Sequence, residues 1–261
     1  MKNQRELAIV VSKDNKIATG FESIKAIKDA GFHNVFIQWY KEEQNFNQER
    51  LEYIRKLGLN VIFAHLDFLG INSIWEDGEE GDSIVEEYKT DIKACKENDI
   101  ALVVMHLTVG TSVLPFNELG LSRLKRIVSY AKGLGVRITF ENTRIKGYLE
   151  YVLSNITDEN VGICFDTGHC HAHFKDNFDF EFYKDRIFAV HLHDNHGLHD
   201  EHLIPYDGTI DWDWMIEGLK KGHYSGPITL ECVYDNQYLE ISPEAFFQKA
   251  YETGLKLRDK F

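Results

Sequence analysis

Apolar residues arrive in eight short runs, each followed by a stretch where apolar and polar residues recur with helical spacing. The runs lie near 7–11, 34–38, 59–65, 100–106, 136–141, 161–166, 187–193 and 227–232. Strands of this length alternating with helical segments predict eight β-then-α units and a closed parallel sheet. The expected fold class is therefore α/β, a single (β/α)8 barrel of the TIM type over residues 1–261, and that length is usual for one such domain.

Nearly every run ends on a polar residue at the same edge. His65, His106, Glu141, Asp166, His191 and Glu231 close six of them, and Gln38 adds a polar, non-titrating group to a seventh. Side chains alternate along a strand, so Glu141 shares a face with Thr139, Asp166 with Cys164, His191 with Ala189 and Glu231 with Thr229. The opposite face carries Ile138 and Phe140, Ile163 and Phe165, Val190 and Leu192, and Ile228 and Leu230, which suit packing against outer helices. The carboxylates and imidazoles are thus predicted to point into the barrel mouth, where barrels of this type carry their active sites.

Composition adds boundaries. With 43% hydrophobic residues the chain can bury a large core without staples. Four cysteines without CxxC spacing and a polar start, Met1–Glu6, lead us to expect a reducing cytoplasmic setting. No apolar run approaches the length of a membrane span. The formal charge of −13 weighs against a general nucleic-acid surface, because phosphate backbones are gripped through Lys and Arg.

Glu141, Asp166, His191 and Glu231 form a mixed oxygen and nitrogen ligand set on four successive strands. Such a set suits one divalent ion, Mn2+, Co2+, Mg2+, Fe2+ or Zn2+, and the absence of thiolate argues against a closed structural zinc. Without a cation, four converging acidic and basic groups would be costly to bury. A second tier, His65, His106, His169, Asp200 and His202, is assigned to substrate binding around that ion. Asp166 and His169 stand three apart across a glycine turn, so both can reach one site. For His171, His173, His196, His199 and His193 the solvated reading is preferred, and Cys170 reads as a small packed thiol. The segment Phe68–Gly81 is long for a βα connection, and Phe68 and Trp75 either stack on a substrate as a lid or pack on the neighbouring helix. Arg144, Lys146 and Lys175 are the basic residues near the mouth that could contact a phosphate.

The strings Glu141-Asn142-Thr143, Phe165-Asp166-Thr167-Gly168-His169, His191-Leu192-His193-Asp194, the run from Asp200 to Trp212, and Leu230-Glu231 resemble the xylose isomerase-like TIM barrel superfamily over the whole chain. That superfamily holds sugar and sugar-phosphate isomerases and epimerases, inosose-processing enzymes and the endonuclease IV type of abasic-site nuclease. The resemblance places Glu141, Asp166, His191 and Glu231 on the single-metal site of the keto-sugar 3-epimerases, where two glutamates, here Glu141 and Glu231, act as acid and base on opposite faces of the substrate carbon. It implies a small sugar substrate, with a homo-oligomer possible as the assembly.

The same resemblance carries an alternative. In the abasic-site nuclease three zinc ions are held at positions that fall on His65, His106, Glu141, Asp166, His169, His191, Asp200, His202 and Glu231, and each has a suitable ligand type here. Against it, that nuclease pattern has Cys where Gly168 stands and Pro-Gly after the fourth-strand histidine, where Leu107-Thr108 follows. The chain is also shorter than those nucleases, and the Ile210-Asp211-Trp212 ending reads more like the sugar enzymes. A third reading is a metal-binding barrel that has lost catalysis. The isomerase or epimerase reading leads, because a mere binding cleft has no need of opposed carboxylates.

Overall fold

A computed structural model describes residues 5–13, 15–16 and 20–261; Met1–Gln4 of the polar start, and residues 14 and 17–19, lie outside them. Among the described residues, strands β1 (Leu7–Val11), β2 (Asn34–Trp39), β3 (Asn60–Leu66), β4 (Leu102–Met105), β5 (Arg137–Glu141), β6 (Val161–Asp166), β7 (Ile187–His191) and β8 (Ile228–Leu230) alternate with helices. The helices are α1 (Gly20–Ala30), α2 (Gln44–Lys56), α3 (Glu79–Glu97), α4 (Glu118–Leu134), α5 (Tyr148–Asn155), α6 (Thr167–His169), α7 (Trp212–Lys221) and α8 (Pro243–Lys260). The strands pair in parallel in the order β7-β6-β5-β4-β3-β2-β1-β8. A single bridge between Leu192 and Leu230 brings the two ends together and closes the barrel.

The alternation read in the sequence sorts the interior as expected. Ile138, Phe140, Ile163, Phe165, Val190, Leu192, Ile228 and Leu230 belong to the main core between sheet and helices. Val10, Phe36, Phe63, Val104, Cys164 and Ala189 form a separate cluster inside the barrel. Phe36 stacks on Phe63, centroids 4.6 Å apart, and on the His191 ring at 5.1 Å, so this plug is the floor of the mouth. Strands β4 and β8 are shorter than their apolar runs, which leaves His106 and Glu231 one residue beyond a strand end. There their side chains reach the mouth, Glu231 still donating its backbone N–H to the Leu192 carbonyl (3.1 Å).

The 68–81 connection resolves the two roles offered for its aromatics. Trp75 ends a 3-10 turn, Ile71–Trp75, and is 1% exposed. Its indole N–H donates to the Leu107 carbonyl (2.7 Å), and its ring lies on Gly120 so closely that a Cβ there would come within 2.1 Å. Trp75 therefore packs on α4 and is no stacking platform for a substrate; a buried indole needs a hydrogen-bond partner, and Leu107 supplies it. Nearby, Arg123 of α4 is 3% exposed and its terminal nitrogens donate to the carbonyls of Ile74 (3.1 Å), Glu76 (2.6 Å) and Gly78 (2.7 Å) and to Asp82 (3.0 Å), tying this loop down. Among the described residues no helix is long and apolar enough to cross a membrane.

Candidate functional site

All nine residues singled out for chemistry meet at the carboxyl rim. One ligand atom each from Glu141, Asp166, His191 and Glu231 lies within 4.8 Å of the others. His191 Nδ1 stands 3.4 Å from Glu141 Oε2, 3.4 Å from Glu231 Oε2 and 3.9 Å from Asp166 Oδ2. Yet neither His191 ring nitrogen makes a hydrogen bond, although the residue is fully buried. Buried polar groups are almost always paired, so these atoms are arranged around a point and not toward one another. A divalent cation fits that point.

Local structure aims these groups. Asn142, the residue after β5, accepts from the Asp166 N–H (2.7 Å) and donates to the Asp166 carbonyl (2.9 Å), locking the β5 and β6 rims together. Asp166 then caps α6, one of its oxygens accepting from the His169 N–H at 2.6 Å. This is the glycine turn read in the sequence, and it brings His169 Nδ1 to 3.1 Å from Glu141 Oε1. Asp194 holds the loop after β7 by accepting from Tyr206 N–H, Ile210 N–H and the Trp212 indole (2.9, 3.1 and 2.8 Å), which delivers Asp200 and His202 to the rim. A cleft of about 440 Å3 opens above, lined among others by Ser12, Gln38, Asp200, His202, Glu231 and Gln237.

Two further groups flank the central four. His65 Nδ1 donates to the Leu66 carbonyl (2.9 Å), since a carbonyl only accepts. In the neutral ring Nε2 then carries the lone pair, and it faces His106 Nε2 and Glu141 Oε2, each at 3.1 Å. On the other side His193, Asp200 and His202 form a third metal-capable group, with His169 Nε2 also 3.0 Å from Asp200 Oδ2. Phe68 stacks on His106 (4.3 Å) and covers the side of the mouth formed by His65 and His106.

Charge is distributed unevenly among these groups. Burial raises the affinity of Glu141 for a proton, but His191 and His106 outweigh it and hold the carboxyl well below its ordinary range. Burial acts on Asp166 and Asp200 in the same sense, and the histidines beside them likewise prevail. At Glu231 burial wins: opposed by His202, but reinforced by repulsion from Glu141 and Asp166, it pushes the carboxyl well above its ordinary range. Burial lowers His106 to about 4 and also lowers His191, whereas Asp166 and Asp200 overcome it at His169, and Asp200 does so at His202, raising both. The two glutamates that flank His191 thus differ in proton affinity.

One reading is corrected. His193, expected to be solvated, is completely buried, 3.0 Å from Asp166 Oδ2 and stacked on His202 at 4.2 Å. It stands two residues past His191, so strand parity alone would have put it on the same inward face. The remaining histidines are mixed: His171 pairs with Asp176 (2.9 Å) and His196 with Glu201 (3.0 Å), while His173 is half-buried beside His169. Cys170 packs in the main core as expected.

A parallel barrel whose carboxyl rim gathers carboxylates and imidazoles around unpaired, buried ring nitrogens defines a metal-capable barrel. The xylose isomerase-like TIM barrel family model matches residues 18–256, and the chain belongs to that family. It is 30% identical over 145 residues to protein y4fM of Sinorhizobium fredii, covering 55% of this chain and 45% of the relative, so it spans less than half of that protein. It is 25% identical to an inosose isomerase of Halalkalibacterium halodurans, over 80% of this chain and 77% of the relative. A probable endonuclease 4 of Mycoplasma mycoides is 26% identical over 59% of this chain and 60% of the relative. Among solved structures, the IOLI protein with a bound zinc atom superposes with a TM-score of 0.78 at 19% identity, over 98% of this chain and 99% of that one. A D-allulose 3-epimerase of Methylomonas in complex with D-allulose gives 0.77 at 17% identity, over 98% of each chain. These structural likenesses establish the fold.

Proposed function

We propose that this protein is a divalent-metal-dependent isomerase or epimerase of a small keto-sugar. The observation that carries the reading is the pair Glu141 and Glu231, brought from β5 and from the end of β8 to equal distances of 3.4 Å from His191 Nδ1. Glu141, Asp166, His191 and Glu231 would hold the ion, which when bound stabilises the negative charge that develops beside the substrate carbonyl. Glu141 removes a proton from the carbon next to the carbonyl, and Glu231 returns one on the opposite face, which inverts the centre or moves the carbonyl. Coordination to the ion and differing burial would separate their protonation behaviour. His65, His106, His169, Asp200 and His202 hydrogen-bond the hydroxyls and fix the face presented, while the Phe68 ring and the apolar plug beneath keep bulk water from the reacting carbon. The inosose isomerase relatives support this reading.

The test is solvent exchange. Mn2+- or Co2+-loaded protein incubated in D2O with a panel of ketoses, ketose phosphates and inososes is expected to place deuterium at one carbon of a substrate. Absence of exchange across the panel would remove the reading, and exchange would exclude a barrel that binds metal without catalysis.

A second reading, phosphoester hydrolysis at a three-zinc centre, is favoured by one observation: the groups His65-His106-Glu141 and His193-Asp200-His202 flank the central four. Its test is an abasic duplex with Zn2+ supplied. With 42 acidic against 29 basic residues, no tight binding at physiological salt and no incision are expected. Salt-sensitive binding with cleavage beside the abasic sugar would install this reading in place of the first.

A further inference from the structure

The isomerase reading gives no part to His193, although its side chain is wholly buried at the rim. Its Nε2 stands 3.0 Å from Asp166 Oδ2 and 3.2 Å from Asp166 Oδ1. A carboxylate only accepts, so Nε2 carries the proton and, in the neutral ring, Nδ1 the lone pair. Nδ1 is buried without a hydrogen-bond partner. An apolar side chain of similar size would fill this volume without leaving a polar atom unpaired. The imidazole thus gives up a partner at one nitrogen and sets the other on Asp166.

The fold makes room for the ring and holds it. Gly168 lies against one side: a Cβ there would come within 2.0 Å of His193 Cε1 and 2.5 Å of Nδ1, so no side chain fits at 168 while the ring is in place. The His202 ring stacks on His193, centroids 4.2 Å apart. Below, the Thr167 hydroxyl accepts from the His193 N–H (3.1 Å) and donates to the His193 carbonyl (2.8 Å). Backbone and ring are both fastened.

What the ring fixes is the plane of a carboxylate. Asp166 Oδ1 accepts from the His169 N–H at 2.6 Å, and the His193 Nε2–H lies across both oxygens. With the two donors in place, Oδ2 stands 3.9 Å from His191 Nδ1, on the side of the central four. Without the imidazole, one donor on Oδ1 would remain and the carboxylate could turn about its last bond. Hydrogen-bond partners of this kind orient the ligands of a metal and set its affinity.

Resting on the metal-dependent isomerase reading, we propose that His193 is a positioning residue, whose Nε2–H fixes the Asp166 carboxylate for the divalent ion, and that Gly168 is the opening which admits it. His193 acts on the ion through Asp166 and touches neither ion nor substrate. Its Nε2 is engaged by Asp166, whereas Asp200 Oδ1 lies farther off, at 3.7 Å.

The experiment measures the affinity of wild type, His193→Leu and His193→Gln for Zn2+ and for Co2+, by competition with a chromophoric chelator. Leucine keeps the apolar volume and removes the donor, whereas the glutamine amide presents an N–H at the same reach. His193→Leu is expected to bind the ion about 10–100-fold more weakly, the usual cost of losing such a partner, and to change the visible spectrum of bound Co2+. His193→Gln is expected to recover most of the affinity and the wild-type spectrum. A role in packing alone predicts the same loss in both variants. Unchanged affinity in His193→Leu, or equal loss in the two, would overturn the proposal and leave the isomerase reading standing; a wild type that binds no ion would overturn both. If His193→Leu does not fold, Gly168→Ala decides, because it displaces the ring from Asp166 with His193 still present: weaker ion binding supports the proposal, and unchanged binding overturns it.

Discussion

Two regions bury charge in this protein, and they do so in opposite ways. On the flank, between α3 and α4, Arg123 is almost wholly enclosed, and its terminal nitrogens are shared among four carbonyls and Asp82. At the rim, His191 is wholly enclosed with both ring nitrogens unpaired, among three carboxylates within 3.9 Å. In the first, both terminal nitrogens are hydrogen-bonded and only Nε lacks a partner, and the side chain holds a loop still. The second spends folding stability to keep donors pointed at a shared point. Largely satisfied burial that faces carbonyls marks structure, and unsatisfied burial that converges with carboxylates marks a ligand site.

The sharpest way to break this contrast is to remove one residue from each region. Arg123→Ala leaves several buried carbonyls without a donor and is expected to destabilise the fold by about 3–5 kcal/mol in denaturant unfolding, with metal content per folded chain unchanged. Glu231→Gln is expected to do the reverse. It should lower turnover by at least about a hundredfold, since the amide cannot carry a proton between faces, while the metal-free protein unfolds at the same denaturant concentration as wild type or higher. Equal losses of stability in the two variants would erase the distinction.

A smaller effect comes from Asp91 on the flank, where a groove of about 670 Å3 is lined among others by Lys41, Glu79, Glu86 and Arg126. Asp91 accepts from the Trp39 indole (3.1 Å) and from Gln44 (3.3 Å), and burial pushes its carboxyl up to about 6. The folded state therefore holds this proton more tightly than the unfolded chain does. Its contribution to stability is full below about pH 4 and is lost as pH rises through 6. Asp91→Asn keeps an acceptor for the indole and removes the titration, so it should match wild type at pH 4 and exceed it by about 1 kcal/mol at pH 7, the open groove screening the remainder. Chemical denaturation at the two pH values checks this; a constant difference would show that Asp91 does not titrate in that window.

Much of the fold was legible because a strand has a strict period of two. That period separated Phe140 and Phe165 from Thr139 and Cys164, and it put Glu141, Asp166, His191 and Glu231 on one rim before any coordinate. It also put His193 on the inward face, but it did not give its depth. His193 lies past the end of β7, and its depth comes from the loop that Asp194 ties over it, a long-range event without a local pattern. The role of Trp75 was similarly hidden, because what it covers is Gly120, forty-five residues on. The match between Arg123 and five partners from the 73–82 segment also has no sequence signature, since four of the five are backbone carbonyls. Recognition of the rim needed only residue type and register, whereas its second layer needed the loops.

A metal count tests the rim most directly. Elemental analysis of protein purified without chelator, and again after Asp166→Asn, is expected to find one tightly held divalent ion per chain in the first and a clear loss in the second. Wild-type protein that takes up no divalent ion, even with excess Mn2+, Co2+ or Zn2+ before desalting, would contradict the claim that the unpaired nitrogens and converging carboxylates of this rim form a metal site.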